Sequence, residues 1–123
     1  MLNKPVSEDM KLKTGRLKKR PEFLCVAHNG KKWVSDTVIV QALETELNQV
    51  RFGFTVTKKV GNAVIRNRAK RRLRAAADEI AKNHDLKPTD VVLMARDRTV
   101  TAEWDELLKN LKWCLKRLKV ISQ

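Results

Sequence analysis

No apolar run in this chain approaches the roughly 18 residues that a membrane-spanning helix requires. The opening segment, MLNKPVSEDMKLKTG, has no apolar core of the secretory type, so no export signal is expected. Glycine (4) and proline (3) are scarce, which excludes collagenous and low-complexity chains. Cys25 and Cys114 are the two cysteines and lie far apart, so no disulfide framework is expected and a reduced, cytoplasmic setting is. Phosphate-loop, dinucleotide-binding and HExxH motifs are missing. Cys25 and His28 have a helical spacing, but two ligands do not close a zinc site. His84 falls near a helix end, where a capping role is the simplest reading. No catalytic set, no metal-ligating set and no small-molecule substrate are therefore expected of the protein itself. The most telling absence is local: residues 50–77 contain no Asp or Glu.

Positive charge fills that gap. Lys and Arg number 27 against 14 Asp and Glu, a net +13 over 123 residues. Nine of the basic residues lie in the acid-free stretch: Arg51, Lys58, Lys59, Arg66, Arg68, Lys70, Arg71, Arg72 and Arg74. An unbroken block of one sign repels itself unless a partner offsets it. The partner expected is a polyanion, bound with a steep salt dependence. An anionic membrane surface would call for large apolar anchors beside the charge. The alanine-rich stripe of this segment lacks them, and no membrane partner is expected.

The hydrophobic pattern reads as one α+β domain. Residues 1–14 are polar and aperiodic and are expected to be a flexible N-terminus, with the domain spanning 15–120. Phe23, Val26 and Ala27 set one face of a helix over 18–29, with Pro21 and Glu22 in its first turn and Asn29-Gly30 as its stop. Residues 33–42 predict a strand through the β-branched run from Thr37. Residues 44–48 fit a hairpin loop, and 51–57 alternate as a second strand, with Phe52, Phe54 and Val56 on one side and Gly53, Thr55 and Thr57 on the other. After Gly61-Asn62 a helix over 63–82 carries Ile65, Ala69, Leu73, Ala76, Ala77 and Ile80 as its packing stripe. Residues 90–95 predict a buried strand parallel to 51–57, completing a βαβ unit. Thr101 is the expected N-cap of a last helix, which packs through Trp104, Leu107, Leu108, Leu111, Leu115 and Leu118. Its acidic first turn and basic last turn match the helix dipole.

The basic helix is the informative element. Its N-terminus offers free N–H groups and a favourable dipole to a phosphate. Between Arg66 and Arg74 arginine outnumbers lysine five to one, and arginine's planar fork grips phosphate bidentately and stacks on bases. A DNA-reading recognition helix is disfavoured, because a strand and not a companion helix leads into it.

At these residues the sequence resembles the protein component of bacterial ribonuclease P. The carrying segment is GFTVTKKVGNAVIRNRAKRRLR, residues 53–74, with Thr57-Lys58-Lys59, Gly61-Asn62-Ala63, Arg66-Asn67-Arg68, Lys70-Arg71 and Arg74 in the family's order. RLKKRPEF and DVVLMAR add weaker matches, so the resemblance runs from about residue 12 to 118. It implies a mixed four-stranded sheet packed with three main helices and a left-handed βαβ crossover, against the right-handed general rule. It also implies the role of protein subunit in a ribonucleoprotein that removes the 5′ leader from precursor tRNA. Catalysis then belongs to the RNA subunit, with Mg²⁺ held mainly by that RNA and the substrate, and the protein raises affinity for substrate and Mg²⁺. The implied contacts with the catalytic RNA are Lys58, Lys59, Asn62, Arg66, Asn67, Arg68, Lys70, Arg71 and Arg74. Those with the single-stranded leader are Phe23, Gln41 and Thr55. Two positions depart from the family pattern: Ala27 and Gln41 stand where aromatics are frequent, which implies weaker or differently specific leader contacts. A ribosomal-type structural RNA-binding protein is the alternative that the charge alone would allow.

Overall fold

The segments that alternate apolar with polar residues and the one that is apolar throughout take different places in a single sheet. The computed structural model describes residues 12–121. Its strands are β1 (Lys13–Arg16), β2 (Lys31–Val34), β3 (Val38–Glu44), β4 (Gln49–Thr55) and β5 (Thr89–Ala95). Its helices are α1 (Arg20–Asn29), α2 (Ala63–Asn83), α3 (Asp97–Thr101) and α4 (Trp104–Arg117). The sheet order is β1-β4-β5-β3-β2. β1, β4 and β5 run parallel, while β3 is antiparallel to β5 and to β2. β5, buried on both faces over Thr89–Leu93, occupies the centre.

Side chains alternate across the sheet, so each face has its own core. On one face Val38, Val40, Phe52, Val91 and Leu93 meet Leu73, Ala76, Ala77 and Ile80 of α2 and Leu107, Leu111 and Leu115 of α4. Five of these leucines are fully buried: Leu73, Leu93, Leu107, Leu111 and Leu115. Truncating one to alanine typically costs about 2–5 kcal/mol. On the other face α1 closes a smaller cluster of Leu17, Val26 and Val92, flanked by Phe23, Leu43 and Met94.

The α+β class and the parallel β4-α2-β5 unit are as the sequence predicts; four features differ. The strand expected over 33–42 is broken by a turn, because the Ser35 hydroxyl donates to Val38 O (2.6 Å) and accepts from Val38 N (3.1 Å). Residues 44–48 do not join paired strands, since β5 lies between β3 and β4. Thr101 ends α3 instead of capping α4, whose N-cap is Glu103. Finally, Lys13 and Thr14, expected within the N-terminal tail, pair with Gln49 and Val50 in β1, the fifth strand. The rest of the expected flexible stretch, residues 1–11, lies outside the described residues.

Candidate nucleic-acid interface

The junction between β4 and α2 is built by the residues that stand out in the sequence. After a 3₁₀ turn at Lys58–Val60, Gly61 adopts φ 154°, and a Cβ there would lie 2.9 Å from Ile65 Cγ2. Only glycine fits. Asn62 caps α2: its Oδ1 accepts from Ile65 N at 3.0 Å. The Arg66 guanidinium reaches back to donate to Gly61 O at 2.9 Å. Asn62 and Arg66 therefore shape the turn, whatever else they contact. Ala69, Leu73, Ala76, Ala77 and Ile80 are buried as expected, with Ile65 half-buried. Lys58, Lys59, Asn67, Arg68, Lys70 and Arg71 are exposed.

Two of the nine basic residues leave this surface. Arg72 donates from one nitrogen to Thr99 O and Val100 O, both at 2.7 Å, and lies 6.0 Å from the Trp104 ring centre. It ties α2 to α3 and α4. Arg51 projects from the other face of the sheet, bidentate to Asp90 at 2.8 and 2.7 Å and 3.1 Å from Glu22. Asp90 is chiefly what holds its pKa above the ordinary value. Nine less these two leaves seven, and among the described residues none of the seven takes part in an ion pair.

Phe23, Gln41 and Thr55 share the sheet face that α1 covers. Phe23 rests on Gly53, where a Cβ would come within 2.6 Å of its Cε2. Gly53 is registered with Val92, and Val92 with Gln41, so Gln41 lies two strands across from the phenyl ring. Thr55 follows Gly53 by two residues and faces the same way. Phe23 is half-buried: it anchors the small core and still presents part of its ring. Ala27 is exposed and does not share the buried face of α1. The Glu22 carboxylate positions the start of that helix, accepting from Lys18 N and Lys19 N at 3.0 Å each. Those N–H groups, Lys19 first, hold the Glu22 carboxyl below its ordinary pKa, and Arg51 adds to the effect.

A cleft of about 210 Å³ joins the two regions, bounded by Arg16, Lys18, Phe23, Phe54, Lys70 and Arg74. The Phe54 ring is flanked by the Arg16 and Arg74 guanidinium carbons at 5.6 and 5.8 Å. Arg74 Nε is buried without a hydrogen-bond partner. Arg16, Lys18 and Phe54 are additions to the residues expected from sequence. Their placement depends on the parallel pairing of β1 with β4, which sets Arg16 against Phe52 and has no local sequence signal. Among the described residues no group of three or more His, Cys, Asp or Glu side chains could hold a metal ion. Nor is any described helix long and apolar enough to cross a membrane.

A single α+β domain whose described residues include seven cations, on and before one helix, that take part in no ion pair, opening into an aromatic cleft, is a nucleic-acid-binding protein by its chemistry. The family model of ribonuclease P matches residues 11–119. The ribonuclease P protein component of Gluconacetobacter diazotrophicus is 45% identical over 106 residues, covering 85% of this chain and 91% of that one. That of Paramagnetospirillum magneticum is 39% identical over 119 residues, covering 93% and 90%. Among solved structures, the Staphylococcus aureus ribonuclease P protein superimposes with a TM-score of 0.75 at 29% identity, over 87% of this chain and 97% of that one. The Thermotoga maritima protein does so with a TM-score of 0.73 at 25% identity, over 83% and 96%. The chain belongs to the ribonuclease P protein family, the RNA-binding subunits of the endoribonuclease that processes tRNA.

Proposed function

We propose that this subunit grips the catalytic ribonuclease P RNA with the exposed side of α2 and holds the single-stranded 5′ leader of precursor tRNA on the α1 face of the sheet. Lys58, Lys59, Arg66, Arg68, Lys70 and Arg71 are the phosphate contacts of this reading, with Asn67 placed for a sugar or base edge. Asn62 and Arg66 set the turn and the start of the row. Arg74 stands at the junction of the two surfaces. Phe23, Gln41 and Thr55 receive the leader, and Arg16, Lys18 and Phe54 extend that surface toward α2. The single observation that carries this is the cleft itself, which makes the cationic helix and the Phe23 face one continuous surface.

The protein performs no bond cleavage in this reading. The scissile phosphodiester is hydrolysed by the RNA subunit, and Mg²⁺ is held by that RNA and the substrate. The protein's cations offset phosphate repulsion between the two RNAs, which favours substrate binding and lowers the Mg²⁺ needed for it. The working domain is residues 15–120 together with the β1 residues before it, and the setting is the cytoplasm. Ala27 and Gln41, in place of aromatics, leave Phe23 as the main stacking partner, so a leader-length titration should show a modest leader dependence.

The test is cleavage of precursor tRNA by a bacterial ribonuclease P RNA at low Mg²⁺, with and without the protein. Restored accurate 5′ maturation is the expected result. Binding of the RNA without any effect on cleavage would favour the ribosomal-type alternative.

A further inference from the structure

A second set of basic residues lies on α4 and the turn that follows it. From residue 107 to the end of the sequence there is no Asp or Glu, while Lys109, Lys112, Lys116, Arg117 and Lys119 are all basic. Among the described residues none of the five takes part in an ion pair. Helix-dipole matching accounts for the last turn of α4, at residues 116 and 117. It does not account for Lys109 and Lys112, nor for the tryptophan among them. Trp113 is 46% exposed, an unusual cost for the largest aromatic side chain. It stands against Trp33 of β2 edge to face, with ring centres 5.6 Å apart and planes at 74°. Arg117, one turn along α4, lies 4.9 Å over the Trp33 ring. Trp33 and Arg117 thus back the indole pair while Trp113 faces solvent with Lys116 and Arg117 one turn along the helix; Lys109 and Lys112 border a neighbouring cleft that also holds Glu79 and Asp105.

An exposed indole backed by a second ring and beside positive charge is the chemistry of a nucleobase-stacking platform. An electroneutral protein partner would have to bury these lysines unpaired, which is costly. The position of the platform selects the RNA. α4 packs on the same sheet face as α2, whereas Phe23, Gln41 and Thr55 lie on the other face. We infer that Trp113, supported by Trp33 and Arg117, stacks on an unpaired base of the catalytic RNA, while Lys112 and Lys116 contact the adjoining phosphates. This inference rests on the reading of α2 as the RNA-subunit interface.

The test measures binding of the full-length protein to ribonuclease P RNA across a salt series, followed by the preference of the assembled holoenzyme for precursor over mature tRNA. Trp113→Ala should weaken RNA-subunit binding roughly 5- to 150-fold, the range spanned by base–aromatic stacking. The salt slope should not change, because no phosphate contact is lost, and Trp113→Phe should recover most of the affinity. The precursor preference should also be unchanged. In contrast, Lys112→Ala with Lys116→Ala should flatten the slope by roughly 1.4–1.8 units, about 0.7–0.9 for each contact. Matching thermal melts for Trp113→Ala and the parent chain establish that folding is not the cause. Unchanged affinity in Trp113→Ala, an equal loss in Trp113→Phe, or a loss confined to the precursor preference would each overturn the platform. If the parent chain binds the RNA and stimulates cleavage while Trp113→Ala does both equally well, the platform fails and the α2 reading survives. If the parent chain does not bind the RNA at all, both fall together.

Discussion

Phe23 lies directly on Gly53: a single added methyl group at Gly53 would sit 2.6 Å from the ring's Cε2 and 3.1 Å from Leu17 Cβ. The missing side chain on β4 is therefore what lets the aromatic ring of α1 approach the strand this closely. Gly53→Ala should push the ring outward. The expected stability loss is modest, about 1–3 kcal/mol, because the end of a side chain can swing away. The preference for precursor over mature tRNA should fall, while affinity for the RNA subunit stays. Parallel thermal melts and substrate titrations check this, and retention of the full precursor preference would mean that Phe23 does not set the leader surface.

Arg71 serves as a phosphate contact alone, whereas Arg66 combines a phosphate contact with a structural bond. Arg71 is exposed and makes no ion pair among the described residues. Arg71→Ala should leave the melting temperature unchanged and flatten the salt slope of RNA binding by roughly 0.7–0.9 units. Arg66 also donates to Gly61 O at the hinge of α2. Arg66→Ala should show the same loss of slope and, in addition, a destabilisation of about 1 kcal/mol from the lost hydrogen bond. Unchanged slopes in both variants would place the RNA interface elsewhere.

The sequence makes some of this arrangement legible and hides the rest for identifiable reasons. α2 is readable because its burial stripe, its cap at Asn62 and its charge all repeat at helical spacing within one segment. The place of β5 between β3 and β4 is not, because pairing is a non-local choice among strands of similar length. A contiguous β-rich run from Thr37 gives no local warning that Ser35 will fold the chain back on itself; the hydroxyl does so through two bonds to Val38. β1 is hidden for another reason. It is a short, mostly exposed edge strand, so it has no apolar alternation to read. The same limit applies to the site. Charge along α2 identifies the surface, but only the fold shows that Arg51 and Arg72 are spent on internal contacts and that Arg16 and Phe54 join it.

Arg72 should therefore behave unlike its neighbours. It is flanked in sequence by Arg71 and Leu73, yet its guanidinium serves two carbonyls of α3 and covers Trp104. Arg72→Ala should destabilise the fold by about 1.5–3 kcal/mol, the range for hydrogen bonds from a charged group. The salt slope of RNA binding should not change. A flattened slope with unchanged stability would reverse the assignment and return Arg72 to the RNA-binding row.

Glu22 gives the structure an acid-sensitive joint. Its carboxylate accepts from Lys18 N and Lys19 N and faces Arg51, which is itself clamped by Asp90. These contacts favour the charged form, and the Glu22 pKa is held below its ordinary 4.5. A carboxylate depressed in the folded state binds fewer protons there than in the unfolded chain. Its contribution to stability is therefore complete above pH 4.5 and is lost as pH falls from 4.5 through the depressed value. In Glu22→Gln the part of the acid limb due to this residue should disappear, so that the melting temperatures of variant and parent converge as the pH drops below that window. At neutral pH the variant should melt lower, because glutamine keeps the size but loses the charge that Arg51 faces. Since the same carboxylate fixes the first turn of α1, which carries Phe23, the variant should also lose precursor preference at neutral pH. A melting difference that persists unchanged below the window would show that the charge on Glu22 is not what holds α1 in place.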